Sequence, residues 1–297
     1  MLEHKRDDLK AWLYLCIPIV LIGIFTFYPI VNTTLIAFDP NYNEALQKLS
    51  GRFSLANFVD IFNYSAFTKV LLNTIIVVFV SVPLSTVVAL AIAIGLNSIK
   101  PLQKIFQTIF FLPYVTNTIA VGMVFAVLFS TDTGLVNAII GAQENIEWLN
   151  VSNTDNYFIN MLVLNIYLLW NNLAFKVLVF LGGLQSIGKQ YYDAAKIDGA
   201  SSMKINLRIT LPLLGPQVMF ILVTSFIGAF KTYDVIVALF GNNWSMTRNM
   251  QTIVGFIYWC IGSGNFAKGA AASVVLLVII LIFTGLQFLV SKRRVHY

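Results

Sequence analysis

The sequence predicts an all-α polytopic membrane protein of about six transmembrane helices, with both termini in the cytoplasm and a short helical bracket between spans four and five. Three observations carry this expectation. Hydrophobic residues make up 58% of the 297-residue chain and charged residues only 11%, against roughly 45–50% and about 25% in soluble domains. So few ionic side chains cannot cover the surface of a soluble enzyme, and a mean hydropathy of +0.80 points the same way. The apolar residues fall in runs long enough to cross a bilayer, and the basic residues alternate in number between successive loops.

A helix needs about 20 apolar residues to span the hydrocarbon core. Six charge-poor runs meet that length: residues 11–38, 70–99, 105–131, 156–184, 209–240 and 269–290. The fourth contains Lys176, and the fifth carries Lys231 and Asp234 in its second half. The apolar patch Met250–Gly262 is shorter and suits a re-entrant or interfacial helix better than a span. The whole chain, residues 1–297, is expected to form a single transmembrane domain.

Orientation follows from lysine and arginine. Lys5, Arg6 and Lys10 lie in the N-terminal tail, and Lys100 and Lys104 follow span two. Lys189, Lys196, Lys204 and Arg208 follow span four, and Lys292, Arg293 and Arg294 lie in the C-terminal tail. These alternate segments hold most of the 19 basic residues and are assigned to the cytoplasm. The opposite loops hold Lys48, Arg52 and Arg248 against Asp39, Glu44, Asp60, Asp132, Glu144, Glu147 and Asp155. A basic stretch before an apolar run can be a cleavable leader; here the run is long and lacks a small-x-small site, so a retained anchor is expected. No internal repeat is visible between the halves.

The net charge of +6 is explained by this topology and not by nucleic acid, because no basic cluster is interleaved with aromatics. Cys16 and Cys260 are too few for a disulfide framework and are expected to lie too far apart to bridge. His4 and His296 sit in opposite tails, so no metal site is expected.

The loop Gln185–Leu211 is more than a connector. Lys189–Asp198 is rich in helix formers, with Tyr191, Ala194, Ala195 and Ile197 expected on one apolar face. Asp193 sits early, where a carboxylate complements the helix dipole. Gly199 stands where a helix closes in a left-handed conformation, and Ser201 can cap a second short helix running to Arg208, ahead of Pro212. By physics alone two readings stand level: a rigid docking element for another protein, or an amphipathic helix whose Lys189, Lys196 and Lys204 meet anionic lipid.

Asp193-Ala194-Ala195, Asp198-Gly199-Ala200 and Ile209-Thr210-Leu211-Pro212 resemble the EAA loop of inner-membrane permeases of binding-protein-dependent ABC importers, in particular the sugar branch. The chain departs at Asp193, where that family usually has Glu. Phe27-Tyr28-Pro29, the stretch from Gly51 to Phe58, Phe111-Leu112-Pro113, Gly134 through Asn137 and Gly182-Gly183-Leu184-Gln185 are similar to the larger permease type of maltose, lactose and glycerol-phosphate importers. The likeness thus runs along nearly the whole chain.

The resemblance implies a multi-pass protein of the bacterial cytoplasmic (inner) membrane. Its EAA loop would form a coupling helix seated in a cleft of a cytoplasmic ATPase subunit. Tyr192, Asp193, Ala194, Ala195, Asp198, Gly199, Ala200 and Pro212 would make that contact. It further implies a second homologous permease subunit, two ATPase subunits and an extracytoplasmic solute-binding protein as partners, besides membrane lipid. The chain has no GxxxxGK[ST] phosphate loop. ATP and Mg are accordingly expected in the partner ATPase subunits, with no cofactor and no enzymatic activity in this chain.

Polar residues inside spans usually face a bundle interior or water. Asn165, Trp170, Asn171, Asn172 and Lys176 in span four, with Lys231 and Asp234 in span five, are the candidates for a substrate pathway. An Asn/Trp set suits a sugar, polyol or oligosaccharide, and the low net charge of the spans favours a neutral one. Bland roles are available to each: interhelical hydrogen bonding for Asn171 and Asn172, mutual pairing for Lys231 and Asp234, snorkelling for Lys176. Lys176 also stands where the family more often has an uncharged residue. Trp148, Trp244 and Trp259 fit an aromatic belt. The rival class is a secondary ion-coupled carrier using Lys176, Lys231 and Asp234 as a relay. A membrane-embedded enzyme would need paired carboxylates, a His cluster or an activated nucleophile, and none is visible; nor is a channel filter.

Overall fold

The computed structural model describes residues 2–99, 103–141, 146–151, 154–241 and 249–294. Lys100, Glu144, Trp244 and Arg248, which enter the sequence argument, lie outside the described residues. The described chain is almost wholly helical. Its helices are α1 Leu2–Ile22, α2 Tyr28–Phe38, α3 Ala56–Asn63, α4 Ser65–Ser98, α5 Gln103–Val115, α6 Thr118–Leu128 and α7 Leu135–Ile140. They continue as α8 Tyr157–Ser186, α9 Lys189–Ile197, α10 Ser202–Ile205, α11 Leu211–Leu213, α12 Gly215–Phe230, α13 Asp234–Phe240, α14 Ile253–Gly262 and α15 Phe266–Arg294.

Of the six expected spans, four are long uninterrupted apolar segments: Trp12–Phe38, Ser65–Ser98, Tyr157–Ser186 and Phe266–Ser291. The third and fifth are broken. After Val115 the backbone turns extended at Asn117, whose side-chain oxygen accepts from the N–H groups of Ile119 and Ala120 at 2.9 and 3.2 Å. A capped N-terminus starts α6 afresh there, so the run 105–131 is two helices. The fifth run is bent by 68° between Ser202–Leu213 and Gly215–Phe230, then interrupted again at residues 231–233 before α13. Hydropathy averaged over a span-length window misses such breaks, because the few polar residues at them, within 116–118 and 231–234, are outweighed by the apolar residues on either side.

Two π-turns share a cause. Gly23–Phe27 and Asn206–Thr210 each end two residues before a proline, Pro29 and Pro212. The Tyr28 N–H reaches back to Gly23 O, and the Leu211 N–H to Asn206 O. Proline donates no hydrogen bond and crowds the carbonyl four residues earlier; widening the preceding turn relieves that crowding without ending the helix.

The chain forms two compact units. One comprises Met1–Phe67 and Phe256–Leu277, the other Thr68–Gly255 and Val278–Tyr297. In the first, Asp39 organises the segment after α2. It is fully buried, and accepts hydrogen bonds from Ser50 N at 2.6 Å, Asn41 N at 3.0 Å and the Ser50 hydroxyl. Asn57 donates to Ala37 O and Asp39 O at 3.0 and 3.1 Å, tying α3 to the end of α2. Phe67 and Phe256 meet edge to face at 5.2 Å, and Trp259 stacks on Tyr64 with rings 3° from parallel. Trp259 is thus a packing residue here. Cys16 and Cys260 are both free thiols, the first exposed and the second buried.

The second unit is built on α8, half of whose most apolar window is buried. Val77, Leu164, Tyr167, Ile236 and Met250 form one core cluster; Ala93, Val177, Phe180, Leu214 and Ile221 form another. Small residues allow close approach: a Cβ at Gly122 would stand 2.5 Å from Ala238 Cβ, so α6 and α13 touch backbone to side chain. Asn73 is fully engaged, donating to Asn249 O and Gln251 O at 2.8 and 2.9 Å and accepting from the Tyr157 hydroxyl at 2.7 Å. Trp148 donates to Asn137 Oδ1 at 2.7 Å and closes on Phe129 edge to face, so it anchors the segment after α7.

Two outcomes follow from this packing. Gly122→Val should destabilise the protein by about 1–3 kcal/mol, read as a lower melting temperature in detergent, while Gly95→Ala, with nothing within 4 Å, should leave it unchanged or raise it. Burial raises the Asp39 pKa, but hydrogen bonds from Ser50, Asn41 and Gly51 outweigh it and hold the carboxyl below its ordinary 3.8. A depressed pKa stabilises the fold above the ordinary value and loses that contribution as pH falls through the folded one. Pepsin cleavage of the residue 39–52 segment should therefore rise steeply below about pH 4, and Asp39→Asn should be cleaved quickly across the acid range.

Candidate functional site

The interruption at Lys231–Tyr233 leaves the C-terminus of α12 and the N-terminus of α13 facing one space. The Lys231 N–H bonds back to Gly228 O at 3.0 Å and the Thr232 N–H to Ala229 O at 3.1 Å, and the buried Thr232 O accepts from the Thr252 hydroxyl at 2.6 Å. Irregular backbone at membrane depth is tolerated where it lines a cavity or is buried in protein. Such a cavity is present. It measures about 190 Å³ and is walled by α4 (Ser81, Ser85), the start of α6 (Thr118), α8 (Tyr167, Asn171, Asn172, Lys176), α12 (Ser225, Gly228) and Lys231–Val235. At about 30 Å³ per water it has room for roughly six waters.

Five of the seven pathway candidates meet here: Asn171, Asn172, Lys176, Lys231 and Asp234. Asn165 and Trp170 do not. Asn165 is buried with its amide donating to Met161 O one turn back at 2.8 Å, and its Oδ1 has no partner among the described residues. Trp170 is 47% exposed, away from the cavity. Asn172 spends its amide on Leu168 O at 2.8 Å. Among the described residues no ion pair joins Lys231 to Asp234, since the break in the helix falls between them. Lys176 does not snorkel: it is 2% exposed, and its ammonium donates to the hydroxyls of Ser85 and Thr86.

The hydroxyls were not singled out in the sequence. Ser81, Ser85, Thr118, Tyr167, Ser225 and Tyr233 all line the cavity, but single Ser, Thr and Tyr residues are common in apolar helices and say nothing until helices are placed side by side. The one available signal was Ser81 and Ser85, four apart on one face of α4 around Pro83. Tyr167 donates to Thr118 O at 2.8 Å, so it also satisfies a carbonyl where α6 begins.

The bracket is the second feature. Helix α9 spans Lys189–Ile197 and ends in a Schellman closure: Ala200 N–H to Ala195 O at 2.9 Å, Gly199 N–H to Lys196 O at 3.0 Å, and Gly199 at φ +69°. The Ser201 side chain accepts from Lys204 N and caps α10. The helix path continues to Arg208, as expected, through the π-turn and not as regular α-helix. The expected single apolar face is divided. Ala195 turns inward and is buried, whereas Tyr191, Ala194 and Ile197 are exposed, Ile197 by 86%. Met203 and Leu207 extend that outer apolar surface.

Asp193 lines the opposite side, with Lys189, Tyr192 and Lys196, along a groove of about 540 Å³ that also includes Asn97, Ser98 and Thr210. The Tyr192 hydroxyl lies 3.4 Å from Thr210 Oγ1. Asp198, Gly199 and Ala200 form the closing turn, and Pro212 lies apart in an apolar groove with α12 and α15 residues.

Residues 85–296 match the family pattern of the binding-protein-dependent transport system inner membrane component. The lactose transport system permease protein of Rhizobium radiobacter is 30% identical over 296 residues, covering 97% of this chain and 95% of that protein. The arabinooligosaccharides transport system permease protein of Bacillus subtilis is 32% identical over 280 residues, covering 90% and 84%. In structure, a chain of a bacterial ABC transporter involved in the import of the acidic polysaccharide alginate superposes with a TM-score of 0.83 at 21% identity, covering 98% and 97%. With the helix order, the broken fifth run and the Schellman-closed bracket already in place, the chain belongs to the inner-membrane permease components of binding-protein-dependent transport systems.

Proposed function

We propose that this permease passes a sugar, as a monosaccharide or short oligosaccharide, through the cavity beside Lys231–Asp234, driven by separate ATPase subunits that grip the α9–α10 bracket. The observation that carries the reading is the bracket itself. It is a short helix closed by a glycine at φ +69°, with an apolar outer surface of Tyr191, Ala194, Ile197 and Met203 left uncovered by the chain. Exposed apolar side chains on a rigid projection are matched to a concave protein cleft.

The names of the relatives, which carry lactose and arabinooligosaccharides, support a saccharide cargo, and hydroxyl and amide groups around the cavity match its chemistry. The rest of the assembly is a second permease subunit, two ATPase subunits holding ATP and Mg, and an extracytoplasmic solute-binding protein. Closure of the ATPases on ATP would draw the brackets together, and the α12–α13 break would let the cavity open to the other side. In this arrangement Tyr192, held near Thr210, Asp193 and Lys196 line the groove behind α9, and Ala194, Ile197 and the Asp198–Ala200 turn face the ATPase.

Two measurements test it. A photo-crosslinker at position 197 should capture a nucleotide-hydrolysing protein in membranes; capture of lipid alone would refute the docking reading. Gly199→Val places a β-branched side chain at positive φ, costing about 1–2 kcal/mol locally, in open space where nothing else is disturbed. ATP-driven uptake should fall at least tenfold with membrane levels unchanged, and Gly199→Asn, which tolerates that conformation, should retain most of it. Normal uptake by Gly199→Val would show that the turn geometry does not transmit force.

A further inference from the structure

The cavity contains a positive charge that the chain does not balance. Its charged lining groups are Lys176, Lys231 and Asp234, one positive charge in excess. Lys231 and Asp234 are both exposed and straddle the helix break, so water at the mouth screens them. Lys176 differs. It is 2% exposed, projects from α8, and among the described residues has only the neutral hydroxyls of Ser85 and Thr86 as partners. Among the described residues no carboxylate lies within 4.0 Å of its Nζ. Ser85 in turn donates to backbone carbonyls of its own helix, Ser81 O and Val82 O, so its oxygen is free to accept from the ammonium. An ammonium has three donors, and two hydroxyls leave one without an acceptor among the described residues.

A strut between α4 and α8 would not need a charge. A serine or glutamine would join the same hydroxyls without the desolvation cost of a buried ammonium. Intramembrane lysines without a protein counter-ion are retained where a ligand supplies one. The surroundings match such a ligand: around the cation, Asn171 offers an amide, Asn172 its side-chain carbonyl oxygen and Tyr167 its phenol oxygen as an acceptor to ring hydroxyls. The volume of about 190 Å³ is below the roughly 300 Å³ of pockets that enclose drug-sized ligands, so it holds one unit of a longer cargo.

We propose that Lys176 selects an anionic saccharide, its ammonium pairing with a carboxylate or phosphate oxygen on the sugar ring held in this cavity. The inference rests on the reading of the cavity as the sugar pathway and sharpens it: the cargo is an acidic sugar, not a neutral one. A carboxylate would come from a uronic acid and a phosphate from a sugar phosphate ester; both present anionic oxygens to a point charge, and the experiment separates them.

The test uses the full permease complex in detergent and reads its melting temperature with millimolar galacturonate, galactose 1-phosphate or galactose, with sodium sulfate as an ionic control. Galacturonate or galactose 1-phosphate, whichever matches, should stabilise the complex at concentrations at least tenfold lower than galactose, and sulfate should not reproduce the effect. Lys176→Met should abolish the discrimination and Lys176→Arg should keep part of it. Should Lys176→Met fail to fold, the wild-type ranking and the Arg variant decide. Equal stabilisation by galactose and galacturonate would overturn the proposal and leave the sugar pathway standing. No stabilisation by any sugar would remove both.

Discussion

The constraint on which this protein depends is the absence of hydrogen-bonding solvent in hydrocarbon. Each backbone N–H and C=O in a span must find a partner inside the protein. Four segments meet this by running unbroken for 26 to 34 residues. Where the helices break, local chemistry replaces the missing partners. Asn117 caps α6 with its side chain, the π-turn before Pro212 accommodates that proline ahead of the bend, and the Thr232 carbonyl is taken by Thr252. The breaks are therefore the places where the chain affords polarity, and the cavity forms at one of them.

That logic joins the two candidate functional features. The cavity and the bracket lie on the same stretch of chain, since α9 and α10 lead through the π-turn into α11 and α12, and α12 ends at Phe230, next to Lys231. Under the proposed coupling, a displacement of the bracket would reach the cavity along the path from α10 to α12, which has a single 68° bend. Gly183 is part of this route, because a Cβ there would stand 2.7 Å from Leu214 and 2.8 Å from Gln217; α8 and the bend of the fifth run are in direct contact. Mechanical coupling of this kind needs close packing, and small residues supply it.

The charges follow the same economy. Lysine at the surface of α9 is exposed to solvent, but Lys176, among hydroxyls in the core of the second unit, keeps a desolvation cost that packing does not offset. Asp39 shows the contrary case. It is buried as fully, yet Ser50 and Asn41 furnish the donors that a carboxylate requires, so its charge is a structural asset of the loop.

Membrane class, inner-membrane family and the turn at Gly199 were legible in the residues alone, because each rests on a local rule: apolar run length, charge alternation, and the preference of a helix end for glycine at positive φ. The family motifs were legible for the same reason, being contiguous in sequence. Only the tertiary structure decided which polar residues meet. Asn171 and Asn172 share a helix with Asn165, and nothing local separates them; packing against α4 and α12 puts the first two at the cavity and leaves the third back-bonded to Met161. It likewise turned Ala195 inward and Ile197 outward, gathered scattered serines and tyrosines around Lys176, and split two apolar runs. Hydropathy sums residues along a line, whereas burial and hydrogen bonding depend on neighbours brought from far along the chain.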